Sequence, residues 1–266
     1  AQPWDGVYTI DLPAGSYRAA FMDRVTTGSI GFEATYDYTV LEYWDGAATL
    51  ETSKAFTLAA GETKTVSGLD EPTFKDVAPN SQFAYEIAWL ALSGVTTGYD
   101  GGTFKPLATV NRDAMAAFLY RFAGKPTYNA PAVSPFVDVP TSNQFYKEIT
   151  WLASTGITTG WDIGGGKKEF RPLQPVARDA MAAFLYRFAK SPSWDAPGTS
   201  PFIDVATSSQ FYAEITWLAG QGISTGWDVA GGKKEYRPLG TVNRDAMAAF
   251  LYRFPTWLRG GWSDPI

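Results

Sequence analysis

Three arginines in this chain stand at positions where a cation is electrostatically disfavoured. Arg112, Arg178 and Arg244 each open the same run, Arg-Asp-Ala-Met-Ala-Ala-Phe-Leu-Tyr-Arg-Phe, and the copies are spaced 66 residues apart. The run reads as a helix, so each guanidinium falls in a first helical turn, where the macrodipole costs about a few tenths of a kcal/mol. Something must offset that cost, and two arrangements would. The guanidinium can lean over the helix N-terminus and form, with backbone N–H groups, a two-pronged site for a carboxylate. Alternatively it can pair with Asp76, Asp138 or Asp204, or with the adjacent Asp113, Asp179 or Asp245, and lock one repeat to the next.

Other residues recur in register with these arginines. Tyr99, Trp161 and Trp227 each follow a glycine in a loop, where a flat aromatic can stack on the apolar face of a sugar or pack at a rim. Beside them, Asp100, Asp162 and Asp228 can bond hydroxyls or cap a turn. Lys105, Arg171 and Arg237 each precede a proline and add positive charge near the same groove.

Composition narrows the chemistry. The 266 residues include no histidine and no cysteine, which removes Ser-His-Asp and Cys-His catalysis, His- and thiolate-held zinc, and disulfides. An enzyme would be left with carboxylate, Lys or Tyr chemistry. Apolar runs such as 114–120 are far shorter than the roughly 20 residues a membrane-spanning helix requires. Residues 1–70 hold four Lys/Arg against ten Asp/Glu, a net of −6, while the remainder holds 18 against 17, a net of +1. The chain is therefore at least bipartite. No basic stripe of the kind that tracks phosphates is present, so nucleic acid is not an expected partner.

The elements that must position the recurring residues form a three-fold internal repeat. Each copy starts with Phe-x-Asp-(Val), at Phe74, Phe136 and Phe202, and continues through Gln-Phe-x-x-Glu-Ile-x-Trp-Leu-Ala to Gly-(Val/Ile)-(Thr/Ser)-Thr-Gly-aromatic. It ends with (Phe/Tyr)-(Lys/Arg)-Pro-Leu and the arginine helix. Each unit reads as helix, loop, short extended piece, helix. Phe83, Ile87, Leu90 and Ala91 mark the buried face of a first helix, ended by Gly94; Met115, Phe118, Leu119 and Phe122 mark that of the second. Trp89, Trp151 and Trp217, inside the first helices, read as core. Asn111 and Asn243 are good N-caps for the second helices and Ala177 is a poor one. The Gly-Gly-Lys-Lys inserts, 165–168 and 231–234, read as solvated hairpin tips rather than phosphate loops. Units that cannot bury a helix face alone bury it against one another, which favours a closed pseudo-three-fold bundle.

Across about residues 72–254 this pattern resembles the S-layer homology (SLH) module: the Phe-x-Asp-Val start, the Gly-(Ile/Val)-x-x-Gly-aromatic turn, the Phe-(Lys/Arg)-Pro segment, and the Val-Asn-Arg-Asp or Val-Ala-Arg-Asp helix opening. The resemblance implies a mainly-α trefoil with pseudo-three-fold symmetry and no catalytic activity or cofactor. It further implies binding of a secondary cell-wall polysaccharide, often through a pyruvylated sugar, in grooves between neighbouring modules at the surface of a Gram-positive bacterium. It favours the ligand reading of Arg112, Arg178 and Arg244, with Asp76, Asp138, Asp204, Tyr99, Trp161, Trp227, Lys105, Arg171 and Arg237 around them. Asp113, Asp179 and Asp245 depart from the family, which commonly carries Ala then Glu after the Arg, and Asn111, Ala177 and Asn243 replace its Thr cap. These departures leave both a pyruvylated and a different acidic ligand open.

Residues 1–70 alternate apolar and polar side chains between Gly and Pro turns, notably over 8–12 and 36–43, and read as all-β. The segments 12–18, 41–47 and 56–63 resemble later strands of a carboxypeptidase-regulatory or collagen-adhesin-B type sandwich whose earliest strands are missing, so the sandwich is expected to be truncated, with larger cargo upstream of Ala1. A Lys-Asn isopeptide bond is ruled out because the region has no Asn, and nothing supports a Lys-Asp bond at Lys54 or Lys64. The expected organisation is a partial sandwich over 1–70, SLH repeats over 72–123, 134–189 and 200–254, and a tail over 255–266. Two further function classes remain open. One is a subunit of a self-assembling surface layer; the other is a glycan hydrolase using two carboxyls about 5 to 10 Å apart across a cleft.

Overall fold

A computed structural model of the chain describes residues 14–17, 20–30, 33–43, 56–60, 74–78 and 80–254. The chain divides into two units, Ala1–Pro72 and Thr73–Ile266. In the first, β1 (Gly15–Tyr17) pairs antiparallel with β4 (Phe56–Leu58), and β2 (Ala20–Ile30) pairs antiparallel with β3 (Glu33–Tyr43). The long hairpin runs from Ala20↔Tyr43 to Ile30↔Glu33, with register shifts at Phe21/Met22 and Thr26/Gly28. The alternating stretch 36–43 is thus part of a strand. The proposed strand at 8–12, Lys54, Lys64 and the tail 255–266 lie outside the described residues.

Among the described residues the second unit holds six α-helices: α1 (Ala84–Leu92), α2 (Arg112–Phe122), α3 (Tyr146–Ser154), α4 (Arg178–Phe188), α5 (Tyr212–Gly220) and α6 (Arg244–Arg253). Each first helix stops in a left-handed glycine, Gly94, Gly156 or Gly222, at φ 67°, 75° and 71°. After two of these stops the next amide reaches back into the helix, Val95 to Leu90 and Ile223 to Leu218, both at 3.0 Å, which satisfies carbonyls the helix end would otherwise orphan. Among the described residues no helix is long and apolar enough to cross a membrane.

The helices pair between modules. The second helix of one module packs on the first helix of the next, α2 on α3 and α4 on α5, and α6 returns to pack on α1. Aromatic rings fill each seam: Tyr120 meets Trp151 edge-on at 5.3 Å, Tyr186 meets Trp217 at 5.3 Å, and Tyr252 meets Trp89 at 5.5 Å. The three tryptophans are buried, as their helical spacing predicts.

Two further contacts join all three modules. The Val110 amide donates to Val242 O at 2.8 Å, Val242 to Val176 O at 2.9 Å, and Val176 to Val110 O at 3.0 Å, a closed cycle of backbone bonds. Phe122, Phe188 and Phe254 form a triangle with ring centroids 5.6, 5.5 and 5.8 Å apart. All three are essentially inaccessible to solvent, and each contributes about 1.5–3 kcal/mol by burial.

The inserts behave as the sequence predicts. In module 2, β5 (Trp161–Asp162) pairs with β6 (Lys168–Glu169), and in module 3, β7 (Trp227–Val229) pairs with β8 (Lys233–Glu235). A single 3-10 turn, Ala230–Gly232, joins the latter pair. The shorter module 1 loop keeps one bridge, Tyr99↔Thr103.

Candidate functional site at the module junctions

The first turns of α2, α4 and α6 are capped by the following module. Arg112 N donates to Gln174 O at 3.0 Å and Asp113 N to Pro172 O at 3.0 Å; Arg178 N and Asp179 N use Gly240 O and Pro238 O, and Arg244 N and Asp245 N use Ala108 O and Pro106 O. The next amide of each helix, such as Ala114 N, bonds the Asp side chain before it, Asp113 Oδ1, at 2.6 Å. This corrects two expectations. Asn111 and Asn243 make no side-chain cap, and Ala177 adopts the same extended conformation as they do. Nor are these amides free to share an anion with the arginine, because neighbouring carbonyls and the Asp have already taken them.

Each guanidinium instead lies in an aromatic cage supplied by the next module. The Arg112 guanidinium carbon is 4.2 Å from the Trp161 ring centre, 4.7 Å from Phe170 and 5.0 Å from Phe184. Arg178 has Trp227 at 4.2 Å, Tyr236 at 4.9 Å and Phe250 at 5.3 Å. Arg244 has Tyr99 at 4.7 Å, Phe104 at 4.4 Å and Phe118 at 5.3 Å. The Nε–H groups donate to the carbonyls of Phe170 at 2.7 Å, Tyr236 at 2.9 Å and Phe104 at 2.6 Å. The residues are only 5, 6 and 6% exposed. Among the described residues none forms an ion pair within 4.0 Å, so the proposed pairing with Asp76, Asp138 or Asp204 is not what offsets the dipole. Cation–π attraction in a desolvated setting, about 2 kcal/mol for a good geometry, does so together with the carbonyl bond. Burial, reinforced by the neighbouring Arg171 cation and opposed by Asp138, pushes the Arg112 guanidinium down to about 10. Burial likewise lowers Arg178 and Arg244. All three remain cations near neutrality.

A second cation shares the outermost ring of each cage. Arg171 lies 4.6 Å from the Trp161 centre, Arg237 4.6 Å from Trp227, and the Lys105 ammonium 4.4 Å from Tyr99. These cations sit on left-handed backbone, φ 59°, 57° and 56°, which is strained for a side-chain-bearing residue. The conserved-in-register Asp of the Phe-x-Asp-Val start holds the strain in place. Asp138 accepts from Phe170 N at 2.8 Å and Arg171 N at 2.6 Å; Asp204 does so from Tyr236 N and Arg237 N, and Asp76 from Phe104 N and Lys105 N. Although burial pulls the other way, the amide bonds from Phe104 and Lys105 keep the Asp76 carboxyl below its ordinary range. These three carboxylates therefore position the outer cation and do not bind the inner one.

The aspartate reaches its amides because the phenylalanine two residues earlier seats on the glycine turn. At Gly160, φ 66°, an added Cβ would lie 2.6 Å from Phe136 Cε1 and 2.8 Å from Glu169 O. Glu169, opposite Trp161 across the hairpin, also holds Arg171 Nε at 3.0 Å, and Glu235 holds Arg237 at 3.1 Å. Module 1 has Thr103 in that place. Asp162 accepts from Gly164 N and so forms its turn, whereas Asp228 pairs with Lys234 Nζ across the hairpin. Near the segment leading to Trp161, the ends of α3 and α4 leave an open depression of about 450 Å³ lined by Thr155, Gly156, Ile157, Arg187, Lys190 and Ser191.

The structure thus brings together each sequence-predicted Arg, aromatic and outer cation. Three contributors escape a reading of the sequence: the cage floors Phe104, Phe170 and Tyr236, the helix rings Phe118, Phe184 and Phe250, and Ser224. The floors precede each Lys/Arg-Pro, and the helix rings lie in the apolar stripe, where they read only as core. Among the described residues no cluster of three carboxylates is arranged to hold a metal ion.

The S-layer homology domain family model matches residues 73–116 and 135–182, and no curated protein matches the chain. S-layer homology domains are generally non-catalytic anchoring modules that bind secondary cell-wall polymers and occur in surface-anchored proteins of the cell envelope. The aromatic turns, Asp clamps and arginine helices of modules 1 and 2 fall largely within the matched segments, so it is this machinery at residues 73–116 and 135–182 that is similar to S-layer homology domains.

Proposed function

We propose that residues 73–254 form a helical trefoil that anchors a larger secreted protein to an anionic, pyruvylated secondary cell-wall polysaccharide at a Gram-positive surface. The observation that carries this reading is the Arg112–Trp161–Arg171 group. Two guanidiniums lie over one indole, and the inner one is buried without an ion-pair partner among the described residues. Glu169 already partners the outer guanidinium through Nε, so the unmet demand for an anion rests on the buried Arg112, and a ligand carboxylate supplies it. A planar carboxylate suits guanidinium geometry, and charged hydrogen bonds of this kind contribute about 1.5–3 kcal/mol each. The indole surface is occupied by the cations, so Trp161 serves to align them, and sugar contacts fall to its edge and to the neighbouring hydroxyls. The closed cycle of Val110, Val176 and Val242 bonds supports the trefoil assignment.

The test is retention of the protein on purified cell walls. Arg171→Glu, at a side chain 42% exposed, should reduce retention at least tenfold with thermal unfolding unchanged. Acid removal of ketal-linked pyruvate from the walls should do the same. Undiminished retention by Arg171→Glu would refute the site, and undiminished binding to depyruvylated walls would refute pyruvate as the recognised group.

A further inference from the structure

The three junctions differ in one respect that bears on which of them is open to a ligand. At the module 2–3 junction Arg178 Nη2 donates to Ser224 Oγ at 3.2 Å, and Tyr236 Oη donates back to Arg178 O at 3.0 Å. With the Nε bond to Tyr236 O and the backbone bond from Arg178 N to Gly240 O, four hydrogen bonds tie this arginine to module 3. At the other junctions the residues matching Tyr236 are Phe104 and Phe170, which have no hydroxyl. Those matching Ser224 are Thr96 and Thr158, whose hydroxyls accept from Gly98 N at 3.2 Å and Gly160 N at 3.4 Å and so face their own turn. A β-branched side chain has little χ1 freedom to turn away from that bond, whereas serine does. Among the described residues the Nη groups of Arg112 and Arg244 have no hydrogen-bond partner, although both residues are at least 94% buried.

We infer that the module 2–3 junction is a structural latch, closed by Ser224 and Tyr236 on Arg178, and that anionic ligand binding is confined to the junctions built on Arg112 and Arg244. This rests on the anchoring function proposed above. An anion approaching Arg178 has to displace the Ser224 hydroxyl, itself 2% exposed, and leave it unpaired in the interior, a loss that offsets much of the new charged bond. At Arg112 the donors are already desolvated and unused, so binding forfeits no protein bond there.

The experiment measures affinity for a purified, pyruvate-bearing cell-wall polysaccharide by calorimetry on the full chain, alongside thermal unfolding. The double variant Arg171→Gln/Lys105→Gln, which removes the outer cation of both open junctions, is expected to weaken binding at least tenfold and Arg237→Gln less than threefold; equal losses would overturn the inference. In an Arg112→Gln/Arg244→Gln background, binding should be near zero, and adding Ser224→Ala and Tyr236→Phe should raise it at least tenfold. No gain in a folded protein would count against the latch. Ser224→Ala and Tyr236→Phe should each lower Tm by about 2–4 °C, the shift that follows from losing a net ~1 kcal/mol bond in a unit of this size. Should the wild-type protein fail to bind wall polysaccharide, the anchoring reading falls by itself. The latch is then judged by Tm alone, and unchanged Tm in both variants would overturn it.

Discussion

Phe188→Ala tests whether the three modules form one cooperative body. Phe188 is fully buried and touches Phe122 and Phe254 at centroid distances of 5.6 and 5.5 Å, so its truncation removes two sides of the central triangle. A buried Phe→Ala change costs about 3–5 kcal/mol, more where the surroundings cannot collapse into the void. Collapse is hindered here because the walls belong to three modules whose spacing is set by the Val110, Val176 and Val242 bonds. The cost should therefore fall near the upper end, at about 4–5 kcal/mol, a large share of the roughly 5–15 kcal/mol a domain possesses. At about 2–4 °C per kcal/mol, Tm should drop by about 10–20 °C. Urea unfolding followed in parallel by tryptophan fluorescence and far-ultraviolet circular dichroism should give one shifted transition for the helical unit. The double variant Phe122→Ala/Phe188→Ala should cost less than the sum of the singles, since both open the same cavity. A loss under about 1.5 kcal/mol, or a transition in which module 2 alone melts early, would refute the reasoning.

Three further outcomes follow from particular residues. Gly220 lies against the Trp194 ring, where a Cβ would clash, and Trp194 Nε1 donates to Thr216 Oγ1 at 3.0 Å; Gly220→Ala should therefore displace the indole, cost about 1–3 kcal/mol, and red-shift tryptophan emission. Lys190 ends α4 in a left-handed conformation, φ 61°, where α2 uses Gly124 at φ 75°; Lys190→Gly should raise stability by up to about 1 kcal/mol, read as an increased urea midpoint. Burial raises the carboxyls of Asp113, Asp179 and Asp245 above the ordinary Asp value of 3.8. A raised folded-state value means that their contribution is complete below the unfolded value and is lost as pH rises through the folded one. Stability should thus increase on acidification from neutrality towards about pH 4, and the triple Asp→Asn variant should flatten that slope in urea titrations at successive pH values.

The repeat, its two helices per unit, the buried Trp89, Trp151 and Trp217, and the hairpin tips were legible because each depends on short-range patterning. The helix caps were not. Asn111 has the side chain a cap requires, yet the amides it would serve are claimed by Pro172 and Gln174, some sixty residues on, and no local rule anticipates a carbonyl arriving from another module. The arginine site was half legible. Register singled out the arginines, the aromatic turns and the outer cations as three recurring sets, but gave no sign that Arg112 takes Trp161 and Arg171 of the following module rather than Tyr99 and Lys105 of its own; the first-turn position did call for a compensating partner. That partner is a set of rings, however, and not an anion. Phe184 lies in an apolar stripe and Phe170 before Arg-Pro, so neither showed in advance that its face would hold a cation. Asp138 was grouped with the site for its charge, whereas its structural role is to pin two amides and a strained Arg171 backbone.

The return of α6 onto α1 has a consequence for synthesis. Since α1 has no helical partner of its own module along that seam, its apolar face stays uncovered until the final helix has emerged, and the Phe122–Phe188–Phe254 triangle lacks a corner until then. The nascent chain can form adjoining seams early but cannot close the ring before residue 254 has emerged. A truncation short of residue 254 should therefore yield an open, sticky intermediate rather than a smaller closed unit.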